Sequence, residues 1–326
     1  RMALRPAASL ARSQFAGDRT RALFAGIAAH GMLPLDRSPS AAFALVLGAM
    51  AHTFGWVLPR GGAQAVSEAL AAYLRTLGGR VVTSARIASL DEIASVRPVL
   101  CDLTPRPFLR VAGHLLPARY RRRLERYRYG MGVFKVDWAL DGPIPWRAPE
   151  CGRAGTVHLG GTLEEIARSE DDAWNERVAD RPFVLLVQPT LVDSSRAPDG
   201  KHVAWGYCHT PHGSTADMLS RIEQQIERFA PGFRDRILAR AVAGPADLER
   251  RNANLVGGDI GAGVNDLRQL VSRAIWLRYA TPLPGVYLCS ASTPPGVSVH
   301  GMCGYFAAQR ALKDFGEGRG RSERVR

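Results

Sequence analysis

No G-x-G-x-x-G turn occurs anywhere in the 326 residues of this chain. That turn seats a dinucleotide pyrophosphate at the start of a helix, so the chain lacks the usual opening of a dinucleotide-binding unit. The nearest glycine cluster, Gly257, Gly258, Gly261 and Gly263, has the wrong spacing. Lysine is almost absent: Lys135, Lys201 and Lys313 are the only three, and arginine supplies the rest of the 43 basic residues. The five cysteines form no C-x-x-C pair, which suits a reducing cytoplasm. The eight histidines lack metal spacing, and Pro211 between His209 and His212 argues against a helical ligand pair. No metal is therefore expected. No apolar run reaches the ~18–20 residues of a membrane-spanning helix.

What is present is an ordinary globular composition, 46% hydrophobic and 22% charged, with a net charge of +13. The length suffices for one or two domains with a large core. Arginines crowd residues 119–128 (RYRRRLERYR) and 319–326. A solvated helix face accounts for the first run, and peripheral contact with an anionic membrane is the alternative. Nucleic acid is not an expected partner, because no binding module accompanies the charge.

Hydrophobic periodicity predicts helices over residues 13–28, 39–52, 63–77, 106–128 and 217–229. Strands are expected at 80–84, 98–103, 133–140, 156–160, 183–189 and 202–209. Thr162-x-x-Glu165 has the form of a capping box at a helix start. On the strand 133–140, Lys135 and Asp137 share one face with Val133, while Phe134, Val136 and Trp138 share the other. Residues 315–326 are polar and expected to be a flexible tail.

The most informative segment is Thr281–Gly304, TPLPGVYLCSASTPPGVSVHGMCG, followed by AAQRAL. It reads as a turn, a short buried strand, a small-residue loop and a helix N-terminus, which together suit the edge of a bound cofactor. The segment resembles the C-terminal flavin-binding signature of the phytoene dehydrogenase-like FAD-dependent oxidoreductases. It departs from that signature at Val297 and Ser298, where two glycines are usual. GWVLPRGGAQAVSEAL (55–70), GVFKVDWALDGPIPW (132–146), HLGGTLEEIA (158–167) and GGDIGAG (257–263) match the same family in the same order. The resemblance runs from about Phe43 to Leu312.

The resemblance implies an α/β fold: a partial FAD-binding Rossmann-like domain with an inserted α+β substrate domain built on a mixed sheet. The implied division is residues 1–59 and 106–256 for the substrate domain, with 60–105 and 257–314 for the flavin domain. FAD is the implied cofactor, and a lipid-like small molecule the implied substrate. Ser290, Ala291, Ser292, Gly296, Val299, His300, Gly301 and Met302 are the implied flavin contacts, with Gly61 and Gly62 beside them. Lys135, Asp259 and His300 are weak catalytic candidates. Against them stand an ion pair for Lys135 with Asp137 and a turn-forming role for Asp259 among its glycines. With the missing G-x-G-x-x-G and an opening Arg1-Met2, the expectation is an N-terminally truncated chain whose dinucleotide-binding half is its partner. A non-catalytic remnant or interaction module is the alternative reading.

Overall fold

The computed structural model describes residues 1–322. The chain opens with α1 (Ala7–Gln14), α2 (Asp18–Ala29) and α3 (Ser40–Phe54). The single helix expected at 13–28 is therefore two, because extended backbone at Phe15 and Gly17 breaks it. Small alanines let the three pack closely: Ala7, Ala11, Ala25, Ala28 and Ala41 are all fully buried against one another. Helix α4 (Ala63–Thr76) follows and buries none of its residues.

Strand β1 (Val99–Cys101) leads into α5 (Pro105–Ala112) and α6 (Ala118–Glu125). The continuous helix expected at 106–128 is interrupted by a 3-10 turn at Gly113–Leu115 and by Pro117, which takes the N-cap of α6. Next come β2 (Gly132–Leu140), β3 (Val157–Leu159), α7 (Leu163–Trp174), β4 (Val184–Val187), β5 (His202–Thr210), α8 (Leu219–Phe229) and β6 (Ile237–Ala243). The capping box at α7 forms as its sequence implied: Thr162 Oγ1 accepts from the Glu165 N–H, and Glu165 returns a carboxylate oxygen to the Thr162 N–H. The chain ends with α9 (Pro245–Arg251), α10 (Leu267–Trp276), β7 (Val286–Leu288) and α11 (Met302–Ser322). Residues 316–322, expected within a polar tail, continue α11. The rest of that expected tail, 323–326, lies outside the described residues.

The strands form two sheets, one of five strands in the order β3-β4-β5-β2-β6 and one of two, β1-β7. Every neighbouring pair in the larger sheet is antiparallel, where a mixed sheet was expected. Among the described residues, β1 pairs with β7 in parallel. Alternation divides β2 as expected. Phe134, Val136, Trp138 and Leu140 enter the main core with Ile222 and Ile226 of α8. Trp138 meets Phe233 edge to face at 5.5 Å, and its indole N–H reaches Glu223. The opposite face carries Lys135, Asp137, Trp205 and Tyr207, in rows fixed by the pairing of Lys135 with Tyr207 and Asp137 with Trp205.

The strand expected at residues 80–84 does not form, and Val82 there is exposed. A strand needs a neighbour to satisfy its backbone, and none of the described strands runs beside this segment. Strand β6 went unforeseen because its burial does not alternate: Leu238, Ala239, Arg240, Ala241 and Val242 are all exposed on this sheet edge.

Candidate functional site

The connection from β7 to α11 is tied from inside by short side chains. Ser290 Oγ donates to the Leu103 carbonyl at 2.9 Å and lies 2.7 Å from Ser292 Oγ. Thr293 Oγ1 donates to the Ser290 carbonyl, and the Tyr279 hydroxyl holds the Pro294 carbonyl. Ser290 and Ser292 are thus buried with their hydroxyls committed to the loop, whereas Ala291 is partly exposed. Burial pushes the Cys289 thiol up to about 12, so it is no nucleophile near neutral pH. Gly296 has φ of +112° and Gly301 of +65°, backbone that favours glycine.

Beyond Gly296 the chain breaks surface. Val299 is 97% exposed, and His300 and Gly301 are exposed beside it. His300 Nδ1 accepts the Met302 N–H at 2.9 Å, so this imidazole caps the start of α11 and carries any ring proton on Nε2. Nothing lies within 4 Å of the place where a Gly301 Cβ would sit. Past the N–H that His300 caps, a helix N-terminus with positive-φ glycine at its entrance fits a negatively polarised or electron-rich ring edge.

Gly61 and Gly62 are held elsewhere. The Gly61 N–H donates to Asp193 Oδ2 at 2.7 Å, and a Cβ on Gly62 would collide with the Arg196 guanidinium. Among the described residues no hydrogen bond joins this pair to the β7–α11 loop. A cavity of about 340 Å³ opens beside them, lined by Trp56, Leu58, Arg60, Arg153, Val192 and Asp193.

Asp259 is a turn organiser. It is buried, and its carboxylate accepts the N–H groups of Gly130 (2.6 Å), Gly261 (2.6 Å) and Gly263 (2.9 Å). Burial raises its pKa, while the three N–H donors oppose the rise. Lys135 pairs with Asp137, and its ammonium lies 5.9 Å from the centre of the Trp205 ring.

Two groups escaped the sequence reading. The first lies under the sheet face that carries Tyr207. Glu170 accepts His209 Nδ1–H through both oxygens at 2.8–2.9 Å, and His209 Nε2 is buried without a partner. His30 and His158 meet Nε2 to Nε2 at 2.8 Å. Desolvation, then the nearby His209, lowers the His30 pKa to about 4; desolvation, then His30, lowers that of His158 to about 3. His158 and His209 fall on the same sheet face as Lys135, and that register was the available signal. The second is Arg273, buried on α10 one turn after buried Gln269. It bonds Asn265 Oδ1 and the carbonyls of Ala262 and Val264, and a Cβ on Gly296 would lie 4.0 Å from its Nη1. Gln269 and Arg273, polar residues at i and i+4 on α10, were the clue.

No protein-family model matches the chain. Among curated proteins it is 27% identical over 356 residues to pyridine nucleotide-disulfide oxidoreductase domain-containing protein 2 of Mus musculus, a match that covers 95% of this chain and 61% of the relative. It is 22% identical over 294 residues to the lycopene-forming phytoene desaturase of Pantoea ananas, covering 81% of this chain and 57% of that one. The chain thus spans about three fifths of the length of these relatives. Among solved structures, an oxidoreductase from Methanosarcina mazei superposes with a TM-score of 0.62 at 15% identity, over 95% of this chain and 68% of that chain. A putrescine oxidase redesigned in its cofactor binding gives 0.55 at 13% identity, over 97% and 68%. At these identities the structures show the fold alone. The resemblance to phytoene dehydrogenase-like oxidoreductases is borne out by these relatives, and the α/β class by these folds.

Proposed function

We propose that this chain supplies the substrate-binding part and the C-terminal flavin-binding segment of an FAD-dependent dehydrogenase or desaturase acting on a lipophilic molecule. The observation that carries the reading is the β7–α11 connection. Its interior is locked by Ser290, Ser292 and Thr293, while Val299, His300 and Gly301 lie at the surface at the start of α11, whose first N–H His300 caps. A bound flavin would supply the acceptor for a hydride from a substrate C–H bond. The chain's own part is to hold and polarise. Beyond the Met302 N–H held by His300, the positive end of α11 stabilises negative charge on the ring edge it faces. Lys135, Trp205 and Tyr207 form a partly open, aromatic sheet face on which an apolar substrate can lie. The residue division expected from the sequence, with 60–105 and 257–314 on the flavin side, is part of this reading.

The reading includes a partner domain that carries the G-x-G-x-x-G turn. Val66, Leu70, Tyr73, Leu74 and Leu77 form one exposed stripe along α4, at the spacing of a helix face made to be covered. The same stripe favours a second reading, in which the chain is a non-catalytic module docking on another chain or on a membrane surface. Titrating the purified chain with FAD, removing the excess and recording visible absorbance tests the first reading. Retained flavin that is lost in Gly301→Val supports it. A colourless protein that stays colourless when a G-x-G-x-x-G-bearing domain is supplied overturns it in favour of the second.

A further inference from the structure

The glycine-rich turn at residues 257–264 builds one wall of a cavity of about 460 Å³, lined by Tyr127, Tyr129, Met131, Trp174, His212 and Val264. Three of its four rings are tied by hydrogen bonds. The Tyr127 hydroxyl donates to the Ala262 carbonyl at 2.5 Å, and His212 Nδ1–H donates to the Gly130 carbonyl at 2.9 Å. Gly130 is itself fixed, since its N–H is one of the three that Asp259 holds. The Tyr129 hydroxyl donates to Thr104 Oγ1 and accepts the Arg106 N–H, both at 3.0 Å. The fourth ring, Trp174, lies 5.1 Å beneath the Arg37 guanidinium.

The glycines of the turn make room for these rings. A Cβ on Gly257 would lie 2.2 Å from the His212 ring, and one on Gly263 would lie 2.3 Å from the Tyr127 hydroxyl. Both have positive φ, +62° and +118°, and Ala262 between them and Val264 has φ of +52°, backbone that alanine rarely adopts. Strain of this kind is kept where a site requires it. Side chains packed for stability alone interdigitate and leave little space. Here a strained turn holds four rings around a cavity instead. Charge gives the cavity little preference. Arg128 is spent on Asp266, Arg106 lies over the face of Tyr129 at 5.1 Å, and Glu176 on the same wall has the opposite sign.

We propose that this cavity binds the planar aromatic ring system of a small molecule. Its volume is that of a small-molecule site. The Tyr129 and His212 rings are inclined by 31° with centres 6.4 Å apart, and Tyr127 meets Tyr129 edge-on at 5.4 Å. Faces and edges are thus both presented, and an aromatic ligand gains from each through its quadrupole, where a saturated one gains only from burial. None of the lining residues is a flavin contact named above, so the proposal goes beyond the flavin reading and does not rest on it.

The test is isothermal titration of the full chain with 2-naphthol and with decahydro-2-naphthol, its saturated analogue. The variants are His212→Ala and Trp174→Leu, each checked for folding by its thermal melt. The control is Trp56→Leu, an exposed ring beside a different cavity. Saturable 2-naphthol binding, at least about fivefold tighter than that of the saturated analogue, supports the proposal. So does a weakening of about tenfold in either cavity variant with none in the control. The comparison of the two probes needs only the wild type, so it stands even where a variant fails to fold. Absence of saturable binding, equal affinity for the two probes, or equal losses in cavity and control variants overturns it. Displacement of 2-naphthol by FAD also overturns it, because the cavity would then be the flavin's own.

Discussion

Lowering the pH from about 7.5 to about 5.5 charges histidines in the unfolded chain that the folded chain keeps neutral. His30 and His158 face one another through Nε2 at 2.8 Å, so one donates and the other must accept. Protonating the acceptor would set two donors against each other in a site that is poorly hydrated. Both pKa values are lowered, to about 4 and about 3, from an ordinary 6.5. The stability they contribute is therefore fully present above about 6.5 and is lost as pH falls toward those folded values. At pH ~5.5 each histidine forfeits roughly 1.4 kcal/mol, or about 3 kcal/mol for the pair. Both rings keep partial access to solvent, which makes that figure an upper one. With ~2.1 cal/mol/K of unfolding entropy per residue over 326 residues, the loss lowers Tm by up to about 4 °C. Thermal melts followed by circular dichroism at the two pH values, for the wild type and for His158→Gln, would measure it. The variant should melt lower at the higher pH but lose only about half as many degrees on acidification. Parallel pH dependence in the two proteins would refute the claim that this pair carries it.

Three substitutions probe other parts of the account. Asp259→Asn leaves at least one of three buried N–H donors facing an NH₂ group and should cost about 2–4 kcal/mol, read as a Tm drop of several degrees. A drop below about 1 °C would remove Asp259 from the turn-organising role. Gly26→Ala places a Cβ 2.9 Å from the His158 ring and should cost about 1–3 kcal/mol by overpacking, visible as a shifted denaturation midpoint with an unchanged slope. Lys135→Met removes a partly exposed ion pair with Asp137 and should change stability by less than about 1 kcal/mol. A larger loss would show that Lys135 supports the sheet through its position over Trp205.

Elements whose burial alternates cleanly were legible from the sequence. Strand β2 and the capped start of α7 lie where pattern and capping chemistry put them. Residues 80–84 were not, because Val81 and Val82 have strand propensity but no neighbour to pair with. Within the candidate site, Asp259 and Lys135 could each be read two ways, and their observed partners are the structural ones. His30 follows the end of α2, and His158 and His209 belong to β3 and β5, so only tertiary packing gathers them. Arg273 was hidden for a different reason: its partners lie in the adjoining loop before α10, whose path the sequence pattern does not show.

The parallel pairing of β1 with β7 also sets a timetable for synthesis. The residues joined across that small sheet lie 187 positions apart in the chain. At the ribosome's ~5–20 residues per second, β1 emerges roughly 10–40 s before the strand it must pair with. During that interval the larger antiparallel sheet between them can complete, while the edge of β1 waits open. A nascent chain stalled just short of Val286 should therefore bind a holdase chaperone through the β1 region, and release it once β7 has cleared the exit tunnel.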